Sequence, residues 1–216
     1  MYPWRSDLAS RGFALLKAVG AEKALDVARA LGTPRADSRS QELARQIRPQ
    51  EAATSFPNSL SATYGIEAFP LHSEAAYWPL PPRYVVLGCE NPGSGHRPTT
   101  LWNSSTHLSG ELLDCLAKEI WIVSRIHRPF LTTVFDPASN CFRFDPVCMR
   151  PVKASSIAAK GLSTAIENAI PFDVAWDVGD ILIIDNYRLL HGRGRSTVPD
   201  DDRKLIRVLV QGDAVA

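Results

Sequence analysis

Hydrophobic positions along this chain fall mostly into short runs broken by Pro, Gly and Asn, and only a few stretches keep a helical period. Residues 11–16 (RGFALL) read as a short strand. Residues 21–31 (AEKALDVARAL) space their apolar side chains as an amphipathic helix does, and Gly32 and Pro34 stop it. Residues 35–60 are polar and broken, with Arg48-Pro49 and Phe56-Pro57 as punctuation, which predicts a connecting segment. From Phe69 onward the apolar runs become short. Residues 83–89 (RYVVLGC) predict a strand that enters a loop at 92–95. Residues 109–122 predict a second helix, with Leu112, Leu113, Leu116 and Ile120 near one face, and residues 154–169 a third. The last two predicted strands are 181–185 and 204–210. On the second, Arg203, Leu205, Arg207 and Leu209 share one face, because alternate side chains of a strand point the same way. No internal repeat or low-complexity tract interrupts this texture.

Many short strands with a few helices suit an α+β fold, mainly β, of the jelly-roll type, a sandwich that can enclose a site. At 216 residues the chain suits one domain spanning 1–216, with residues 1–60 packed on its core as strand, helix and connector. The composition, 45% hydrophobic and 22% charged, is that of an ordinary globular protein. A formal net charge of +1 gives no reason to expect nucleic acid or an anionic membrane as partner. No apolar run is long enough to span a bilayer, and the first residues, MYPWRSDLASRG, lack a secretory hydrophobic region. Cys89, Cys115, Cys141 and Cys148 form no C-x-x-C pair, so reduced thiols in a cytoplasmic protein are expected.

The candidate chemistry lies in two distant segments, His72-Ser73-Glu74 and His191. Residues i and i+2 of an extended segment point to one side, so His72 and Glu74 can converge while Ser73 turns away. Two imidazoles and a carboxylate can hold a divalent iron on one face and leave the opposite positions open. The triplet alone also fits a surface histidine beside a solvated glutamate. Arg203 and Arg207 offer planar donor forks that match carboxylates, either of bound acids or of the neighbouring Asp200, Asp201 and Asp202.

The surroundings of His191 carry more information. Gly179-Asp180, the apolar run Ile181-Leu182-Ile183-Ile184, the turn Asp185-Asn186 and Leu190-His191-Gly192-Arg193 together resemble the closing strands of the taurine-dioxygenase-like (TauD/TfdA-type) iron(II)/2-oxoglutarate oxygenases. Arg203 and Arg207 stand where that family carries its carboxylate-binding arginines. Thr100-Leu101-Trp102 resembles its T-x-W/F element, and the H-x-E form of the triplet is that of the branch including clavaminate synthase. The approach to this threonine, PGSGHRPTT, departs from the family pattern and leaves both Thr99 and Thr100 as candidates, with the following Leu-Trp pointing to Thr100. The interval from His72 to His191 is shorter than in the family, so a reduced lid is expected.

The resemblance implies a double-stranded β-helix (cupin-like jelly roll) with flanking helices. It further implies iron(II) held by His72, Glu74 and His191, with 2-oxoglutarate anchored by Arg203 and Thr100. Dioxygen is the implied oxidant, and a C–H bond of a small polar metabolite, an amino acid or related acid, the implied target; succinate and carbon dioxide would be released. Arg207, Tyr77, Trp78 and Arg143 are the candidate substrate contacts, Arg143 having a salt bridge to Asp145 as its alternative. Family halogenases replace the ligand carboxylate by a small residue, so Glu74 argues against halogenation. His96 is a candidate for the entrance, whereas His107 and His127 read as helix-surface or core-edge residues. Two rivals come from other classes: a non-catalytic jelly roll that binds a small acid, and a zinc hydrolase using the same three ligands.

Overall fold

A computed structural model describes residues 4–37, 41–57, 59–124, 128–198 and 200–213. Two antiparallel sheets face one another. The larger runs in the order Phe13–Leu16, Ile181–Asp185, Tyr84–Asn91, Lys204–Gln211, Thr33–Arg35, and Ala44–Ile47 also pairs with Lys204–Gln211. The smaller runs Phe172–Val174, Thr99–Asn103, Leu189–Arg193, Phe69–His72. The chain therefore alternates between sheets over its last third: Ile181–Asp185 in the larger, Leu189–Arg193 in the smaller, Lys204–Gln211 in the larger. This alternation is what a jelly roll requires.

Strand periodicity sorts the side chains into layers. From Tyr84–Asn91, Val85, Leu87 and Cys89 enter the space between the sheets, joined by Leu182, Ile184, Leu205 and Leu209 of the larger sheet and Leu101, Val174 and Leu189 of the smaller. The opposite faces of the same strands, with Tyr84, Val86, Ile183, Val208 and Val210, pack under Leu8, Ala24, Ala28 and Leu31 of the helices Trp4–Arg11 and Ala24–Leu31. Outside the smaller sheet, Leu71, Trp102 and Leu190 meet Leu116 of the helix Gly110–Lys118 and Leu162 of the helix Ile157–Glu167. Four layers result, with the interior between the two sheets. Gly88 is the point of closest approach to the outer helices. A Cβ there would lie 2.8 Å from the Ala21 carbonyl oxygen and 3.2 Å from the Ala24 Cβ, so no larger residue fits without displacement.

The predicted elements are present with shifted ends. The helix over 21–31 begins as a 3₁₀ turn, Ala21–Lys23, and the helix over 109–122 stops at Lys118, where the strand Trp121–Val123 starts. The stretch 35–60 is not a plain connector: Ala44–Ile47 is a strand of the larger sheet, and its polar composition reflects edge exposure and a lining role. The helix Trp4–Arg11 was not legible, because its apolar period covers only two turns. None of the four cysteines is in a disulfide, and no helix among the described residues is long and apolar enough to cross a membrane.

Candidate active site

His72 ends its strand directly opposite His191, their rings 4.4 Å apart between centroids. The His72 Nδ1–H donates to the Pro70 carbonyl at 2.9 Å, so Nε2 keeps its lone pair for another partner. Ser73 does turn away. Its N–H donates to the Phe144 carbonyl at 2.6 Å, and its hydroxyl donates to the Phe142 carbonyl at 3.1 Å. Glu74 comes back to the side of His72 and is held there by the Asp185-Asn186 turn. The Asn186 side-chain oxygen accepts the Glu74 N–H at 2.7 Å, and its amide donates to the Glu74 carbonyl at 3.1 Å and the Pro82 carbonyl at 2.9 Å. Ala75, at φ 51°, then turns the chain away. One nitrogen or oxygen from each of His72, Glu74 and His191 lies within 4.8 Å of the others, and Glu74 Oε2 is 3.7 Å from His191 Nε2. Gly192, next to His191, has no room for a side chain: a Cβ would sit 2.6 Å from Thr100 Oγ1.

The charges of this cluster are set by burial and by one arginine. Burial pushes the His72 imidazole down to about 3, and the neighbouring His191 acts in the same direction, so the ring is neutral. Burial alone would raise Glu74. The Arg207 guanidinium and the His191 contact outweigh it and hold the carboxyl below the usual range, ionised. Two imidazoles, that of His72 neutral, with an ionised carboxylate are the donor set that a divalent first-row cation takes, and the residues present fit iron(II) in that respect.

A cavity of about 230 Å³ opens from this cluster between the sheets. Arg203 lines it too, buried, with no hydrogen bond or ion pair among the described residues and its Nε without a partner. Burial lowers its pKa to about 10, with Asp200 opposing, so it remains a cation. A buried charge without a counter-ion is costly unless an anion completes it. Arg207 lies on the sheet opposite that of His191, and Arg203 just before the same strand, because successive strands alternate between sheets. One sequence expectation needs correcting in detail. Thr99, not Thr100, lines the cavity, since pairing of Leu101 with His191 puts residues 99 and 101 on the interior side and Thr100 behind Gly192.

Arg207 is engaged more tightly than the sequence suggested. Its Nη1 donates to Glu74 Oε1 and its Nη2 to Asp37 Oδ2, both at 2.8 Å, and Arg45 Nη1 also reaches Asp37 Oδ2 at 3.1 Å. Only its buried Nε has no partner. Asp37 and Arg45 come from the segment read as a connector, so nothing in the local sequence marked them. Tyr77 lines the cavity as expected. Trp78 does not: it is buried in the interior core, with the Arg35 guanidinium 4.8 Å from its ring centre. Arg143 also lies outside the cavity, donating to the Pro79 carbonyl at 2.9 Å, and makes no ion pair with Asp145. Asp145 takes the lining position instead. Burial raises its pKa, while the Val147 and Cys148 N–H groups, 2.7 and 3.2 Å from Oδ1, oppose that rise. His96 is away from the cavity lining, His107 stacks on Trp102 at the surface, and His127 lies outside the described residues.

A jelly roll with two histidines and a carboxylate between its sheets has the double-stranded β-helix fold of the iron(II)/2-oxoglutarate oxygenases. Solved structures make the likeness specific. The non-heme iron oxygenase OrfP, in a complex with iron and α-ketoglutaric acid, superposes with a TM-score of 0.74 at 22% identity over 97% of this chain and 78% of that one. An asparagine oxygenase, in a complex with iron(II), 3-hydroxyasparagine and succinate, gives 0.75 at 19% identity over 97% of this chain and 77% of that one. A variant of OrfP with hydroxyarginine bound gives 0.68 at 25% identity, covering 87% of this chain, which spans 63% of that one. No protein-family model matches the chain, and no curated protein matches it significantly in sequence.

Proposed function

We propose that this protein is an iron(II)- and 2-oxoglutarate-dependent oxygenase that hydroxylates a small amino acid. One observation carries the reading: a three-ligand cluster and an unpaired buried arginine line the same interior cavity. His72, Glu74 and His191 would hold the metal, and Arg203 with Thr99 the distal carboxylate of 2-oxoglutarate. When bound, iron and 2-oxoglutarate supply the oxidising power, from dioxygen, for breaking an unactivated C–H bond.

The protein's own part is to bind, orient and exclude water. Arg203 supplies the fixed positive charge. Arg207 keeps Glu74 ionised and turned toward His191, and its guanidinium, part of the cavity lining, is the positive charge nearest to a substrate carboxylate bound there. Asp145, with one oxygen taken by backbone N–H groups, offers the other to an ammonium. An acid-plus-amine pair in a cavity of about 230 Å³ suits a free amino acid, below the roughly 300–1,000 Å³ of sites for drug-sized ligands.

The test is a screen of free amino acids with iron(II), 2-oxoglutarate and oxygen, read by product mass and by succinate. A gain of one oxygen atom in one amino acid, absent in His191→Ala, is the expected result. Succinate formation that persists undiminished in His191→Ala, or zinc-dependent hydrolysis in its place, would overturn the reading.

A further inference from the structure

Trp176 is buried in the interior core, two residues beyond the strand Phe172–Val174 whose Val174 pairs with Thr99. Its indole N–H donates to Thr99 Oγ1 at 3.1 Å, a buried bond between segments 77 residues apart. An indole nitrogen can only donate, and a hydroxyl has one proton to give and two lone pairs. With one lone pair engaged by Trp176, the Thr99 proton must be directed elsewhere. Among the described residues it has no acceptor, while Thr99 lines the same cavity as the unpaired Arg203. The β-branched side chain has few rotamers in a strand, so a bond to Oγ1 fixes where the proton can point.

We infer that Trp176 is a positioning residue: it holds Thr99 with its hydroxyl proton turned into the cavity, making Thr99 a preset donor to the carboxylate that Arg203 binds. The assignment rests on the reading of this cavity as a 2-oxoglutarate site. It explains why a tryptophan stands at a position where the core needs only apolar bulk. A Phe would fill most of that volume but leave the hydroxyl free to rotate, and the bound acid would lose part of a charge-assisted bond.

The test is an anaerobic titration of 2-oxoglutarate into iron(II)-loaded wild type, Trp176→Phe, Thr99→Val and the double variant, followed by the visible charge-transfer band. Trp176→Phe should weaken 2-oxoglutarate about three- to tenfold while leaving iron affinity unchanged, and Thr99→Val should weaken it more. The double variant should match Thr99→Val within about twofold, because an effect exerted through Thr99 vanishes with it. Thr99→Ser, which keeps the hydroxyl, should retain most of the affinity. Equal losses from Trp176→Phe in the presence and absence of the Thr99 hydroxyl, or no loss at all, would overturn the inference while sparing the function. A wild type that binds no 2-oxoglutarate overturns the functional reading, and the inference with it. Should Trp176→Phe not fold, indole N–H signals of ¹⁵N-tryptophan wild type decide: one of the five should move on Thr99→Val and on adding 2-oxoglutarate with zinc in the metal site. No such signal overturns the inference.

Discussion

At the residue scale, Glu74 serves two partners: Oε1 takes the Arg207 guanidinium, and Oε2 faces His191. That division makes the carboxylate geometry testable. Glu74→Asp keeps the charge on a shorter arm and should retain weak iron binding and some turnover. Glu74→Gln loses the charge opposite a buried guanidinium and should fall much further, checked by iron affinity and single-turnover succinate. Arg203→Ala removes the buried cation, and loss of such a bond costs on the order of 2–4 kcal/mol, roughly thirty- to a thousandfold in 2-oxoglutarate affinity. Arg207→Ala should behave differently. It releases Glu74 and takes one of the two guanidinium partners from Asp37, so iron binding and substrate oxidation should both drop while the 2-oxoglutarate requirement changes less. If Arg207→Ala raises that requirement as steeply as Arg203→Ala does, the two arginines share one carboxylate.

At the scale of elements, Tyr84–Asn91 lies at the centre of the larger sheet, paired with Ile181–Asp185 on one side and Lys204–Gln211 on the other. Its run YVVLGCEN is apolar on both faces because one meets the interior and the other the outer helices. Gly88 is placed where the turn Ala21–Lys23 crosses. Gly88→Val should therefore push that turn outward, costing about 1–3 kcal/mol as overpacking does. In a protein of this size that is a fall of roughly 2–12 °C in melting temperature. His72 and His191 sit in the other sheet, so the iron affinity expected of them should survive at low temperature. A Gly88→Val protein as stable as wild type would show that the outer helices yield freely there.

At the scale of the whole molecule, the two sheets enclose a cavity lined by both the His72–Glu74–His191 cluster and the buried cation Arg203. Manganese(II) with 2-oxoglutarate, each at about a hundred times its dissociation constant, should stabilise the fold by roughly 2.7 kcal/mol or more. The melting temperature should then rise by about 5–11 °C, and a chelator should reverse the gain. Either ligand alone should give a smaller rise. The absence of any rise in wild type, with both present, would mean that the cavity does not take them.

Local sequence determined what depends on local spacing. The period-2 run 204–210 put Arg203, Leu205, Arg207 and Leu209 on one face, and the interior layer contains them. His72 and Glu74 converge because alternate residues do so, and the GD–ILII–DN–LLHGR stretch disclosed both the strand pair and the histidine that joins them. Tertiary structure alone decided which of two adjacent threonines enters the cavity, because that depends on the register of Thr99–Asn103 against Leu189–Arg193, a relation between strands some ninety residues apart. It decided likewise between Arg143 and Asp145, which a strict alternation would have put on one face but which the irregular chain after Phe142 separates. Asp37 and Arg45 belong to the same class. Their segment is polar and broken to the eye, and only pairing of Thr33–Arg35 and of Ala44–Ile47 with Lys204–Gln211 brings them to Arg207, since ion pairs across a sheet carry no periodic mark in the chain.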